Sequence, residues 1–182
     1  VAAYVLIRAM IYLFGFELLD LVIPISTLVG LLAGIGILYG SFMAIAQTEL
    51  KRMLAYSSVS QIGYVLMGIS LANPFGFIGA VLHILNHAVM KACLFMVTAN
   101  LRMQEGHSDI SRFDHTYRKK YPWTMFSFTV AAISMVGLPP LAGFFSKWYL
   151  ALGTVESGNW LLLAIILISS LLNAVYFFRV LE

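Results

Sequence analysis

Charge is the scarcest ingredient of this chain. Of its 182 residues only 10% are Asp, Glu, Lys or Arg, against about a quarter in soluble globular domains. A chain so short of charge cannot cover a water-facing surface. The shortage is patterned as well: 21–48, 53–90, 121–146 and 157–178 hold no charged residue. Each stretch exceeds the ~20 apolar residues that a helix needs to cross a ~30 Å hydrocarbon core. The 53–90 stretch suffices for most of two crossings, with Asn73-Pro74 as the turn between them. Apolar/polar alternation is missing too, and unbroken apolar runs do not build a barrel. Flanking amphipathic helices, which a buried helix in a large soluble core would need, are absent. The single cysteine, Cys93, can form no internal disulfide and reads as a small packing residue. No charged n-region followed by a small-residue cleavage site opens the chain, so 1–16 is not a signal peptide. The pI of 9.1 does not indicate nucleic-acid binding, because the basic residues cluster at predicted helix ends.

What is present is an all-α, polytopic transmembrane bundle of about six helices, forming a single domain over 1–182. We read helix A at 1–16, B at 21–47, C at 53–72, D at 75–100, E at 123–152 and F at 160–178. Helix A is short for a span and is expected to begin upstream, making the chain a fragment of a longer one. Trp123 and Trp160, with Tyr121 beside the first, fall at helix ends, where amphipathic rings settle at headgroup level. Lys51 and Arg52 occupy the B–C connection; Arg102, Arg112, Arg118, Lys119 and Lys120 occupy the D–E loop; Arg179 follows helix F. The opposite connections hold Glu17, Asp20, the Ala72-Asn73-Pro74 turn and Glu156, with no Lys or Arg. By the positive-inside rule the D–E loop, about 101–121, is cytoplasmic, or faces matrix or stroma in an organelle. A bacterial or archaeal plasma membrane is the expected home, an organelle inner membrane the alternative. The same loop serves as a topology signal or as a contact for a partner subunit.

Ionisable residues within a span are functional candidates, because a charge at the helix centre costs several kcal/mol. No acidic residue lies inside a span by these limits. The candidates are His83, His87, Lys91 and Lys147, with Lys51 at a helix mouth and Arg8 at uncertain depth. His83, His87 and Lys91 are spaced four apart in HILNHAVMK. Each step advances 40°, so they form one winding stripe about 12 Å long. Bridged by water, such a stripe can pass protons along a helix, and imidazole titrates near neutral pH. Asn86 falls on another part of the surface. Two histidines at i and i+4 also suit zinc, but Ile84 stands where a zincin has Glu, and no third ligand is in sight. A third reading keeps the histidines merely hydrogen-bonded between packed helices.

Helix E contains GLPPLAGFFSKWYLALG, 137–153. Pro139 and Pro140 lack backbone donors, and Pro139 disfavours helical geometry at Leu138. With Gly137 and Gly143 nearby, the helix should break there and leave carbonyls without intrahelical partners. Broken helices often line transport sites, and Lys147 follows within three turns. Helix C is unusually polar: Tyr56, Ser57, Ser58, Ser60, Gln61 and Tyr64 either order a water chain or serve as interhelical glue. Lys51 is a topology anchor or a proton-entry residue. Gly30, Gly34, Gly36 and Gly40 of helix B read as packing positions.

Three motifs, TELKRMLAYSSVSQIGY (48–64), HILNHAVMKACLF (83–95) and GLPPLAGFFSKW (137–148), resemble those of the antiporter-like membrane subunits of respiratory complex I. That family includes the large subunits of Mrp cation/proton antiporters and of membrane-bound hydrogenases. YVLIR (4–8) resembles the end of a further family motif, while Glu49 stands where the family more often has Asp. The resemblance implies an inverted-repeat bundle of about fourteen helices, of which this chain would hold the second repeat and its broken helix. It implies that Lys147 is the terminal protonatable residue of a half-channel, with His83, His87 and Lys91 linking it toward the membrane centre. The implied activity is proton translocation in a redox-driven pump. Na⁺/H⁺ exchange of Mrp type and a purely structural role are the alternatives. The family's Glu–Lys pair of the first repeat has no counterpart here. No cofactor or metal is expected in this chain; redox chemistry would belong to another subunit, and homologous membrane subunits, lipid and protons are the expected partners.

Overall fold

The computed structural model describes Val5, Arg8, residues 25–113 and residues 119–181. Helix A lies outside them apart from Val5 and Arg8, both helical, as do Glu17, Asp20 and Arg118. Six α-helices stand among the described residues: α1 Ile25–Ile45, α2 Leu50–Ser70, α3 Pro74–Glu105, α4 Pro122–Val136, α5 Ala142–Glu156 and α6 Trp160–Leu181. A short 3₁₀ turn, Ile110–Arg112, lies between α3 and α4. Helices B, C, D and F thus correspond to α1, α2, α3 and α6, and the broken helix E is the pair α4 and α5.

The limits move in ways that helix-end chemistry explains. α2 starts at Leu50, so Lys51 and Arg52 belong to its first turn and not to the connection. Cations are unfavourable at that end of the dipole, and the 3.2 Å pair between Arg52 and Glu49 offsets part of this. α3 runs five residues beyond the expected end, which brings Arg102 into its last turn, and stops at Gly106 in the left-handed region. The loop is therefore 106–121 rather than 101–121. At its other end Asn73 caps α3 by accepting from Gly76 N–H at 2.8 Å, with Pro74 at the first helical position.

Ser26–Ile45, Pro74–Glu105 and Trp160–Leu181 are each long and apolar enough to cross a membrane. α2 has the length, 21 residues, but turns polar side chains into the bundle. The outward faces are apolar: Leu32, Ile35, Val89, Met96 and Leu171 are all strongly exposed. Helix ends with basic residues meet at one end of the bundle. There Arg179 donates to the Ile45 and Gln47 carbonyls, and the backbone of 108–110 bonds Leu50 and Thr48. At the opposite end Asn73 Nδ2 donates to Gly153 O at 2.7 Å. Of the helix B glycines, Gly30, Gly34 and Gly40 abut α2 or α6 as expected, whereas Gly36 faces open space.

Two large buried apolar clusters form most of the core, beside a small third of Val65, Ile69 and Ala80. One, around Leu50, Met53, Leu94, Phe128 and Phe177, fills the basic end. The other, around Ile37, Met67, Leu71, Leu150 and Leu162, fills the opposite end. Between them lies a buried polar set: Ser57, Ser60, Gln61, His83, Ser146, Lys147, Ser169 and Asn173.

Candidate functional site

α4 ends where Gly137 enters the left-handed region at φ 91°. Gly137 N–H donates to Ser134 O at 3.1 Å and Leu138 N–H to Ile133 O at 3.3 Å, the paired bonds of a Schellman ending. Pro139 and Pro140 carry the chain across the gap, and α5 begins at Ala142. The half-helices then pack so closely that a Cβ on Gly143 would lie 1.8 Å from Ser134 O.

The Schellman bonds leave the carbonyls of Met135 and Val136 unanswered. Lys147, from the second turn of α5, answers both: Nζ donates to them at 3.0 and 2.9 Å, and to Ser170 Oγ of α6 at 3.1 Å. The C-terminal end of a helix favours a cation. Tyr64 adds its ring face, with Nζ 5.1 Å from the centroid. Lys147 is 6% exposed. The ion pairs among the described residues all lie at the basic end. Carbonyls, hydroxyl and ring hold this ammonium in place of a counter-charge. A cavity of about 620 Å³ opens beside it between α5 and α6, lined by Leu138, Trp148, Ser170 and Leu171 among others.

His83 is the second buried group. Its Nε2 lies 2.9 Å from Gln61 Oε1 and its Nδ1 3.1 Å from Ser146 Oγ, which donates to Gly143 O at 3.0 Å. With both nitrogens protonated, Nδ1 donates to Ser146. When Nδ1 is bare, the serine hydroxyl can turn its hydrogen to it. Both charge states find partners without moving a heavy atom. With both nitrogens engaged, His83 has none to spare for a metal shared with His87.

Asn173 of α6 joins the two centres. With its amide oxygen inward it accepts from Lys147 Nζ at 3.3 Å and from Gln61 Nε2 at 3.2 Å. Lys91 stands apart, about 12 Å along α3 from His83; its Nζ donates to Leu54 O at 2.6 Å and to Ser57 Oγ. His87, between them, is half-buried, and its enclosed Nε2 meets no hydrogen-bond partner. The stripe of three is thus engaged at its ends and interrupted at its middle.

Ser58 bonds Leu54 O of its own helix, whereas four other polar side chains of α2 each reach a neighbour: Ser57 to Lys91, Ser60 to Ser41 at 2.9 Å, Gln61 to His83, and Tyr64 to Ser169. These four act as interhelical glue and in the same contacts surround the buried ionisable groups. Lys51 is exposed, one turn from Leu54. Asn86 donates to Ala142 O at 2.8 Å, tying α3 to the restart of α5. Cys93 Sγ approaches Ser127 O, a packing contact. Sequence reasoning misses Ser146, Ser169, Ser170, Asn173 and Tyr176. The signal available is the i, i+4, i+7 spacing of Ser169, Asn173 and Tyr176 in an otherwise apolar span.

Residues 1–173 match the family described as NADH:quinone oxidoreductase/Mrp antiporter, TM. NADH-quinone oxidoreductase subunit N of Desulforudis audaxviator is 49% identical over 182 residues, covering 100% of this chain and 36% of the relative. A Na(+)/H(+) antiporter subunit of Alkalihalophilus pseudofirmus is 35% identical over 147 residues, 81% of this chain and 30% of the relative. The chain therefore spans about a third of the length of these curated relatives. Among solved structures, the Mrp complex from Dietzia sp. DQ12-45-1b superposes with TM-score 0.92 at 24% identity, over 98% of this chain and 32% of that one. The membrane-bound sulfane sulfur reductase, an archaeal respiratory membrane complex, superposes with TM-score 0.89 at 30% identity, over 98% and 36%.

Proposed function

This chain belongs to the NADH:quinone oxidoreductase/Mrp antiporter family of integral membrane subunits, and from that premise we propose that it forms the proton-translocating second half of such a subunit. The observation that carries the reading is Lys147, buried at the break between α4 and α5 and held, among the described residues, without a carboxylate. A proton leaving it abandons no ion pair. In this reading Lys147, His83, His87 and Lys91 exchange protons through water as conformational or electrostatic changes alter their affinities. Gly137, Pro139 and Pro140 make the break. The polar residues of α2 position the path, and Lys51 stands near its mouth on the basic side. The chain works within a larger complex beside homologous membrane subunits, with the loop at 106–121 facing the cytoplasm of a bacterium or archaeon. Any redox cofactor sits in another subunit.

Lys147→Ala and Lys147→Arg in the full-length subunit, assembled in its complex and reconstituted in vesicles, test this. Both should lower proton translocation at least tenfold, because Arg keeps the charge but does not release its proton. Full pumping in an assembled Lys147→Ala complex overturns the reading. Exchange of Na⁺ for H⁺ is the second reading, favoured by the 35% identity to a relative named a Na(+)/H(+) antiporter subunit. It predicts that an imposed Na⁺ gradient drives proton movement in the same vesicles.

A further inference from the structure

Asn173 and Gln61 have no exposed surface and stand between Lys147 and His83. An amide is polar in a way that matters here, since one end only accepts hydrogen bonds and the other only donates. With Oδ1 inward, Asn173 accepts from Lys147 and Gln61, while Nδ2 donates to Ser169 O at 3.2 Å and to the Tyr176 hydroxyl at 2.8 Å. Turned over, Oδ1 accepts the Tyr176 hydroxyl hydrogen at 2.8 Å, and Nδ2 confronts Lys147 and Gln61 nitrogens. Against an ammonium that second orientation sets donor on donor. Against a neutral amine the clash with Nζ goes, because the amine lone pair accepts; the clash with Gln61 Nε2 goes only if Gln61 turns as well, and Oδ1 then faces Ser169 O. A charged Lys147 therefore holds Asn173 with its oxygen inward, and a neutral one relaxes that hold so that Asn173 and Gln61 can turn together.

Gln61 is the next link. While its Nε2 serves Asn173, its Oε1 is turned to His83 Nε2 at 2.9 Å. An acceptor there requires that Nε2 carry a hydrogen. The ring is left with Nδ1, 3.1 Å from Ser146 Oγ, as the nitrogen that can gain or lose a proton.

We infer that Asn173 and Gln61 form an amide clamp that ties the charge of Lys147 to the ring nitrogen at which His83 exchanges its proton. No proton crosses the amides; they transmit orientation only, and both are positioning residues. With Lys147 protonated, His83 exchanges protons at Nδ1, beside Ser146 and the helix break. With Lys147 neutral, Asn173 and then Gln61 are free to turn, and His83 Nε2 is released. The titratable side chains around the clamp are Lys147 and Tyr64, His83 with His87 one turn along α3, and Tyr176. The inference rests on the proton-translocation reading above.

The test compares Asn173→Leu, Asn173→Asp and Gln61→Met with wild type in the assembled, reconstituted complex, following proton translocation against pH. Asn173→Leu removes an acceptor from Lys147 and should move the pH midpoint down by about one unit. The nearly isosteric Asn173→Asp sets a carboxylate against Lys147 and should move it up; it carries the test alone if the leucine variant does not assemble. Adding Gln61→Met to Asn173→Leu should lower the rate less than about twofold further, because contacting residues that act as a unit are non-additive. Unmoved midpoints in both Asn173 variants overturn the clamp, as do losses that multiply independently. Lys147→Ala separates the two levels. Intact pumping in that variant removes the translocation reading itself, whereas lost pumping beside unmoved Asn173 midpoints removes only the clamp.

Discussion

Gly143 has less room than any other described glycine. A single methyl there would sit 1.8 Å from the Ser134 carbonyl, and that atom is backbone, so no rotamer change makes space. Gly143→Ala should destabilise the bundle by about 3 kcal/mol or more. Unfolding of the purified full-length protein in mixed micelles would measure it, and wild-type stability would mean that the half-helices lie further apart. At this scale the ionisable residues are legible in the sequence, because Lys147, Lys91 and His83 stand out in apolar runs. Asn173 and Ser146 are not. A lone Asn or Ser is common in membrane helices, and only the register of α6 and α5 against α2 and α3 decides whether it faces lipid or a neighbour's polar group. His87 shows the converse: four-residue spacing puts it in the stripe, yet its Nε2 finds no partner.

Helix breaks and caps are legible where Pro, Gly and Asn supply the signal. The stop at Gly137 follows from the sequence, as does the pair of carbonyls left open beyond it. That Lys147 reaches back to them does not, since it depends on the angle at which α5 leaves the gap. Asn73 likewise announces the start of α3, but its second bond, to Gly153 O at the far end of α5, needs the packed structure. Asn73→Ala should therefore cost more than the ~1 kcal/mol of a helix cap alone. Asn73→Ser, which keeps a capping oxygen but is too short for Gly153, should recover only part of that loss in the same micelle assay. The start of α2 and the end of α3 depart from the sequence expectation by three and five residues because that expectation assigns charged residues to loops. Long basic side chains can occupy a terminal turn and still reach water.

For the molecule as a whole, the alternation of basic and non-basic connections tells which helix ends lie together. The structure gathers those basic ends at one end of the bundle. Replacing Cys93 by Ala and placing single cysteines at Ser111 or Ser157 should make the two positions react with an impermeant thiol reagent from opposite sides of sealed vesicles. Labelling of both from one side would contradict the topology. The layering of apolar cluster, polar set and apolar cluster has an electrical meaning. Lys147 and His83, bridged by Asn173 and Gln61, sit at nearly one level along the bundle, so on the proposed path a proton exchanged between those two moves within a plane and does little work against the membrane potential. Lys91 lies about 12 Å further along α3. For a helix along the bilayer normal, that is roughly 0.4 of a ~30 Å core, or about 1 kcal/mol per 100 mV. If the proposed path operates, the membrane voltage bears on the occupancy of Lys91 relative to the Lys147–His83 centre and has little effect on exchange inside that centre.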